Sequence, residues 1–206
     1  MKEPTERMVQ VSGVSCRVWE QGIGEPVAFI AGIGGLPRWT RFLDILSDSR
    51  RVIAPTIPGF PGSSGIGMLD NHLDWLLATH DLLDAAGAEG ADLIGVSIGA
   101  ALAADIAAVW PTSVKRVVLV SPLGLFDATD PTADIFAQSA SSLGRLLCND
   151  PVKWEEHTAL PDSIDLVDWE VLKVRAQEAA ARLLWPLGDT RLIRRLHRIT
   201  QASLLV

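Results

Sequence analysis

The sequence predicts an α/β fold: a mostly parallel, doubly wound sheet with helices on both faces and a helical insertion towards the C-terminal end. Three observations lead there. The short, nearly continuous apolar runs "PVAFIAG", "RVIAP", "ADLIGVS" and "RVVLVSP" have the pattern of parallel strands buried on both faces. Stretches with apolar residues at helical spacing lie between them. After Pro122 the alternation lapses for about sixty residues, a length that is odd for a plain loop and suits an inserted helical cap.

Along the chain, "MVQVSGVSCRVWE" alternates apolar and polar residues around Ser12 and Gly13, which predicts an antiparallel hairpin with one wet face at a sheet edge. "PVAFIAG" is the first buried strand. "PRWTRFLDILSDS" sets Trp39, Phe42, Leu43 and Leu46 on one helical face, and "RVIAP" follows as the next strand. "LDNHLDWLLATHDLLDAAG" repeats Leu73, Leu76, Leu77, Leu82 and Leu83 on a helix that stops at Gly87. "ADLIGVS" then leads into "GAALAADIAAVWP", a helix ended by Pro111, and "RVVLVSP" closes the alternating part. The insertion reads as short helices in "DPTADIFAQSASSLGRLLCND", "PVKWEEHTAL" and "WEVLKVRAQEAAARLLW", separated by Pro- and Asp-containing joints. Phe136, Leu146, Trp154, Leu172 and Trp185 are available for their inward faces. "TRLIRRLHRIT" predicts a basic amphipathic helix, and "ASLLV" another buried strand. The expected organisation is a core of residues 1–122 and 186–206 with a helical cap at 123–185.

Composition narrows the function classes. A chain of 206 residues that is 48% hydrophobic has enough apolar content for one compact domain. Asp and Glu outnumber Lys and Arg by 25 to 18, and the basic residues form no long tract, which argues against nucleic acid as a partner. The polar start and the lack of an apolar run near the ~20 residues of a membrane span predict a soluble, cytoplasmic protein with no membrane partner. Cys16 and Cys148 read as reduced thiols. No metal cluster or phosphate loop is present, and "GIGG" before a Pro-containing stretch is a poor match to a dinucleotide fingerprint, so neither metal nor cofactor is expected.

One stretch carries chemistry. In "LIGVSIGA", Leu93 to Ala100, Gly95 and Gly99 stand two residues either side of Ser97. A serine nucleophile must leave a buried sheet, turn sharply and present its hydroxyl at the foot of a helix, where backbone N–H groups stabilise an oxyanion. The strand before Ser97, the alanine-rich helix after it and the two glycines are the context this turn requires. The alternative is a serine that merely caps its helix.

On these residues the chain resembles the α/β-hydrolase family over essentially its whole length. "FIAGIGG" (Phe29 to Gly35) stands where the family carries a His-Gly-x-Gly oxyanion loop, and "RVIAPTIPGFPGSS" resembles a strand and loop often written V-I-A-P-D-L-P-G-F-G-x-S. The resemblance implies Ser97 as nucleophile, with the backbone N–H groups of Ile33 and Ile98 as oxyanion donors and Gly34 beside them. Ala31 stands in place of the family's usual histidine and Thr56 in place of its aspartate, both loop-bracing positions. In the family the acid follows the seventh strand and the histidine the eighth. This sequence ends within the seventh, so the expectation is a C-terminally shortened hydrolase whose base is encoded beyond Val206.

The four histidines present are weaker candidates. His72 and His80 fall on the polar side of their helix, and His197 among Arg191, Arg194, Arg195 and Arg198. His157, with Glu155 or Glu156 beside it, lies in the cap, from which it would overhang the serine. Asp127 and Asp130 follow the sixth strand, where a minority of the family places its acid.

The expected activity is hydrolysis of a small or medium carboxylic ester through an acyl-enzyme, the ester entering beneath the cap against Gly32, Gly34, Trp39, Phe126, Phe136, Leu146 and Trp154. Carbon–carbon bond hydrolases, thioesterases, lactonases and cofactor-free haloperoxidases belong to the same family, and no residue separates them. A non-catalytic binding protein with the same fold is the alternative from another class. Oligomeric state has no signature in the sequence.

Overall fold

The computed structural model describes residues 3–206. β1 (Thr5–Val11) and β2 (Val14–Gln21) form the expected antiparallel hairpin through Ser12 and Gly13, both at positive φ. β3 (Pro26–Ile30), α1 (Arg41–Ser47), β4 (Arg51–Pro55), α2 (His72–Ala85), β5 (Ala91–Val96), α3 (Ile98–Val109) and β6 (Val114–Val120) then alternate. Three helices follow, α4 (Ala140–Leu147), α5 (Pro151–Thr158) and α6 (Leu166–Leu184), before β7 (Ala202–Leu205). The seven strands make one sheet in the order β1-β2-β4-β3-β5-β6-β7. β2 pairs antiparallel with β4, and every pairing from β4 to β7 is parallel.

The continuous apolar runs follow from burial on both faces. Ala28 and Ile30 of β3 and Leu93 of β5 join one apolar cluster with Trp75 of α2 and Leu102 and Ile106 of α3. Val27 and Phe29 of β3 and Ile94 of β5 join a second cluster with Trp39, and with Leu43 of α1. Successive residues of one strand thus feed opposite layers, as the two-residue period of a strand requires. Asn71 starts α2 with a capping box closed by Asp74. No helix among the described residues is long and apolar enough to cross a membrane.

Several elements differ from the sequence expectation. The buried face of α2 is Trp75, Leu76, Thr79, Leu82 and Leu83, whereas Leu73 and Leu77 face outward. The segment "TRLIRRLHRIT" forms two 3₁₀ turns, 192–194 and 196–198, in place of one amphipathic helix. Its arginines are drawn onto α3: Arg195 Nε donates to Asp105 Oδ1 at 2.5 Å, and Arg198 Nε to the Ala108 carbonyl at 2.9 Å. β7 pairs with β6, yet all four of its residues are exposed, because no described element lies over it. β6 buries Val114 and Val117 and exposes Lys115 and Arg116. Within 123–185, Ala176, Ala179 and Ala180 of α6 pack into the first core cluster, so α6 is continuous with the core packing.

Candidate active site

Ser97 occupies the single residue between β5 and α3, with φ 55° and ψ −115°. Few L-residues adopt that conformation, and holding it costs about 1–3 kcal/mol. Its neighbours hold it there. The Ser97 N–H donates to the Val120 carbonyl of β6 at 2.9 Å, and the Ser97 carbonyl accepts from Leu123 at 3.3 Å. The Ser97 side chain makes no cap bond to α3, which removes the helix-cap alternative, and its hydroxyl has no hydrogen-bond partner among the described residues.

The flanking glycines are required by backbone approach. A Cβ on Gly95 would sit 2.4 Å from the Gly99 carbonyl oxygen, and one on Gly99 would sit 2.5 Å from the carbonyl oxygens of both Ile30 and Ala31. All of these obstacles are main chain, so neither side can yield by a rotamer change. Gly99→Ala is therefore expected to destabilise the fold by about 2–3 kcal/mol, the upper part of the overpacking range. Urea denaturation checks this, and a loss under 0.5 kcal/mol would contradict the close approach.

Gly32 faces the serine directly: a Cβ there would be 3.2 Å from Ser97 Cβ. The turn that begins at Gly32 is closed by the Gly35 N–H donating to the Gly32 carbonyl at 2.9 Å. The N–H groups of Ile33, Gly34, Ile98 and Gly99 have no acceptor among the described residues. The two Ile98–Gly99 donors also open α3, where the helix dipole favours negative charge. The turn after β3, whose first residue faces Ser97, and the foot of α3 thus carry unused N–H donors.

Gly32 lies against Ser97, Ile98 follows it in the chain, and Ile33 and Gly34 belong to the turn that Gly32 begins. Trp39 is buried in the second core cluster, edge-on to Trp19 at 6.5 Å. Phe126 and Leu146 are exposed, Trp154 lies against Gly144 of α4, and Phe136 lines an open groove of about 580 Å³ with Asp134, Ala137, Ala181, Arg182 and Trp185. Asp127 is turned to its own loop, accepting from the Thr129 N–H at 2.8 Å and hydroxyl at 2.7 Å.

No described histidine ring is hydrogen-bonded to Ser97. His72, expected on a wet face, bonds Asp105 Oδ2 through Nε2 at 2.7 Å. His80 stacks on Trp110 at 4.2 Å and bonds Ser113 Oγ at 3.2 Å. His157 is exposed on α5, its carbonyl accepting from Arg38 at 3.0 Å, and His197 is exposed beside Arg198. Sequence reasoning missed Asp105, fully buried in α3 between His72 and Arg195. The available signal was one carboxylate inside "AALAADIAAV", where an unpaired charge is not tolerated.

A family model described as "Alpha/beta hydrolase family" matches residues 27–206. The chain is 33% identical over 130 residues to a 2-hydroxy-6-oxo-2,4-heptadienoate hydrolase of Pseudomonas putida, covering 60% of this chain and 47% of that protein. It is 35% identical over 127 residues to the dihydrolipoyllysine-residue acetyltransferase component of the acetoin cleaving system of Cupriavidus necator, covering 60% of this chain and 34% of that one. The matches therefore span less than half of either relative. In structure it is similar to the naproxen esterase (carboxylesterase NP) of Bacillus subtilis, with TM-score 0.69, 16% identity, and coverage of 98% of this chain and 73% of that one. At that identity the likeness concerns the fold alone.

Proposed function

The chain belongs to the alpha/beta hydrolase family, and from that premise we propose that it is a serine hydrolase in which Ser97 forms an acyl-enzyme with a small or medium carboxylic ester. The observation that carries this reading is the strained, unbonded serine at the strand–helix junction, with unused N–H groups in the adjoining turn and at the foot of α3. Ser97 Oγ attacks the ester carbonyl carbon and gives its proton to a base. The carbonyl oxygen becomes an oxyanion held by the Ile33 and Ile98 N–H groups. The intermediate then expels the alcohol, which takes the proton, and water hydrolyses the acyl-serine by the reverse sequence. No described histidine ring is hydrogen-bonded to Ser97, and this reading assigns the imidazole base and its acid to groups outside residues 1–206.

A second reading has its own support. The compound in the name of the Pseudomonas putida relative holds neither an ester nor an amide, so its hydrolysis must break a carbon–carbon bond beside the 6-oxo group. The same oxyanion donors would serve a ketone carbonyl equally well, and the two readings part only in substrate.

The test, made on the full-length protein that carries the base, is labelling with a fluorophosphonate probe, followed by turnover of p-nitrophenyl butyrate and of a 2-hydroxy-6-oxo-dienoate. Labelling is expected to vanish in Ser97→Ala, and ester turnover to exceed dienoate cleavage. Dienoate cleavage alone would establish the second reading. Labelling that survives Ser97→Ala would remove Ser97 from the chemistry, and a protein that is neither labelled nor active but binds small apolar ligands would be a binding module.

A further inference from the structure

We propose that Arg17 of β2 is the positioning residue of the oxyanion turn, tying the loop after β3 to the loop after β4 so that the Ile33 and Gly34 N–H groups face Ser97. The geometry stands on its own; its catalytic consequence rests on the serine-hydrolase reading. Arg17 Nη2 donates to the Leu36 carbonyl at 2.7 Å, immediately after the turn at 32–35, and reaches the Pro61 carbonyl at 3.4 Å. The Arg17 main chain binds the second loop again: its N–H donates to Gly62 at 3.1 Å and its carbonyl accepts from Thr56 at 2.8 Å. One residue therefore fixes both loops that close over the end of β3.

The guanidinium is held between two surfaces. Its carbon lies 4.0 Å from the Trp19 ring centroid. On another side is Gly62, at φ 100°, where a Cβ would stand 2.6 Å from that carbon. With glycine at that φ, the guanidinium keeps its place without moving. This placement carries a cost: burial pulls the Arg17 pKa down against the opposing charge of Glu6, and the buried Nε has no partner. An apolar side chain at this position would not carry that cost. Its two carbonyl acceptors supply the reason for a guanidinium, which offers several donors in a fixed plane.

Amide hydrogen exchange of the 206-residue chain, read by mass spectrometry, tests this in the wild type, Arg17→Met and Arg17→Lys. In Arg17→Met, exchange over 32–36 and 57–62 should accelerate about tenfold or more while α3 is unchanged. In the full-length protein that carries the base, fluorophosphonate labelling should slow by about tenfold or more, as expected for misplaced donors. Arg17→Lys, which restores one charged donor to the Leu36 carbonyl, should recover part of both. Unchanged exchange over 32–36 overturns the proposal. So does acceleration spread equally through α3, which would make Arg17 a general stabiliser. A Ser97→Ala control separates the two questions: labelling that persists there defeats the serine-hydrolase reading, while loop exchange still decides the role of Arg17.

Discussion

In the full-length protein that carries the base, Ser97→Gly is expected to abolish fluorophosphonate labelling completely and, in the same protein, to raise the melting temperature. Loss of labelling follows from loss of the attacking oxygen. The stability gain follows from the backbone. Ser97 is held at φ 55° and ψ −115° by β6 and by the approach of Gly32, a conformation that costs an L-residue about 1–3 kcal/mol. Glycine adopts it without a Cβ clash and gives back about 0.5–1 kcal/mol through the greater freedom of the unfolded chain. The net gain is about 1 kcal/mol, or roughly 2–4 °C in a domain of this size. Ser97→Ala provides the contrast, because it loses the hydroxyl and keeps the strain. Thermal melts of the three proteins should therefore rank Gly above Ala, with Ala near the wild type. If Gly were the least stable, the junction would not be strained, and the argument that function retains a costly backbone at this point would fail.

What was legible in the sequence depended on how local its physical cause is. Strands β3 to β6 could be read because burial on two faces leaves an unbroken apolar run, and Ala28 and Phe29 do feed opposite layers. The Ser97 turn could be read because Gly95 and Gly99 answer to backbone within a few residues or on the neighbouring strand. The oxyanion donors could only be placed by position, since a main-chain N–H has no residue signature. Contacts that close over long separations left no trace. Arg17 finds its acceptors 19 and 44 residues away, so nothing near it distinguishes it from an exposed arginine of a hairpin. The helix expected at "TRLIRRLHRIT" failed for the same reason: its spacing is amphipathic, but Leu192 is buried and Arg195 and Arg198 are captured by α3. Tertiary pairing decided the backbone there, against local periodicity.

That capture sets the largest expected stability effect. Asp105 has no exposed surface, and it bonds His72 of α2 on one oxygen and Arg195 on the other. Arg195 itself is partly exposed and also donates to the Thr190 carbonyl at 3.0 Å, so it would reach water if released. The two single removals are therefore unequal. Taking away Asp105 removes the buried charge together with its partners' tie. Taking away Arg195 leaves a carboxylate inside α3 with only His72 to answer it. Breaking a buried pair in the second way costs about 3–5 kcal/mol, and the remaining histidine bond puts Arg195→Met near the lower end. The pH dependence follows in sign. Burial pushes the Asp105 carboxyl up, but the hydrogen bonds and charges of His72 and Arg195 outweigh it and hold its pKa below the ordinary value. A depressed carboxylate stabilises the fold above its unfolded pKa, about 3.9, and loses that contribution as pH falls through the lower folded value. In Arg195→Met part of the opposing attraction is gone, so less of the stabilisation remains to be lost. The gap between wild type and Arg195→Met in urea denaturation should thus be about 3 kcal/mol at pH 7 and narrow steadily below pH 4. A gap that stays constant across that range would mean Arg195 acts by packing its stem on α3, with its charge irrelevant to Asp105.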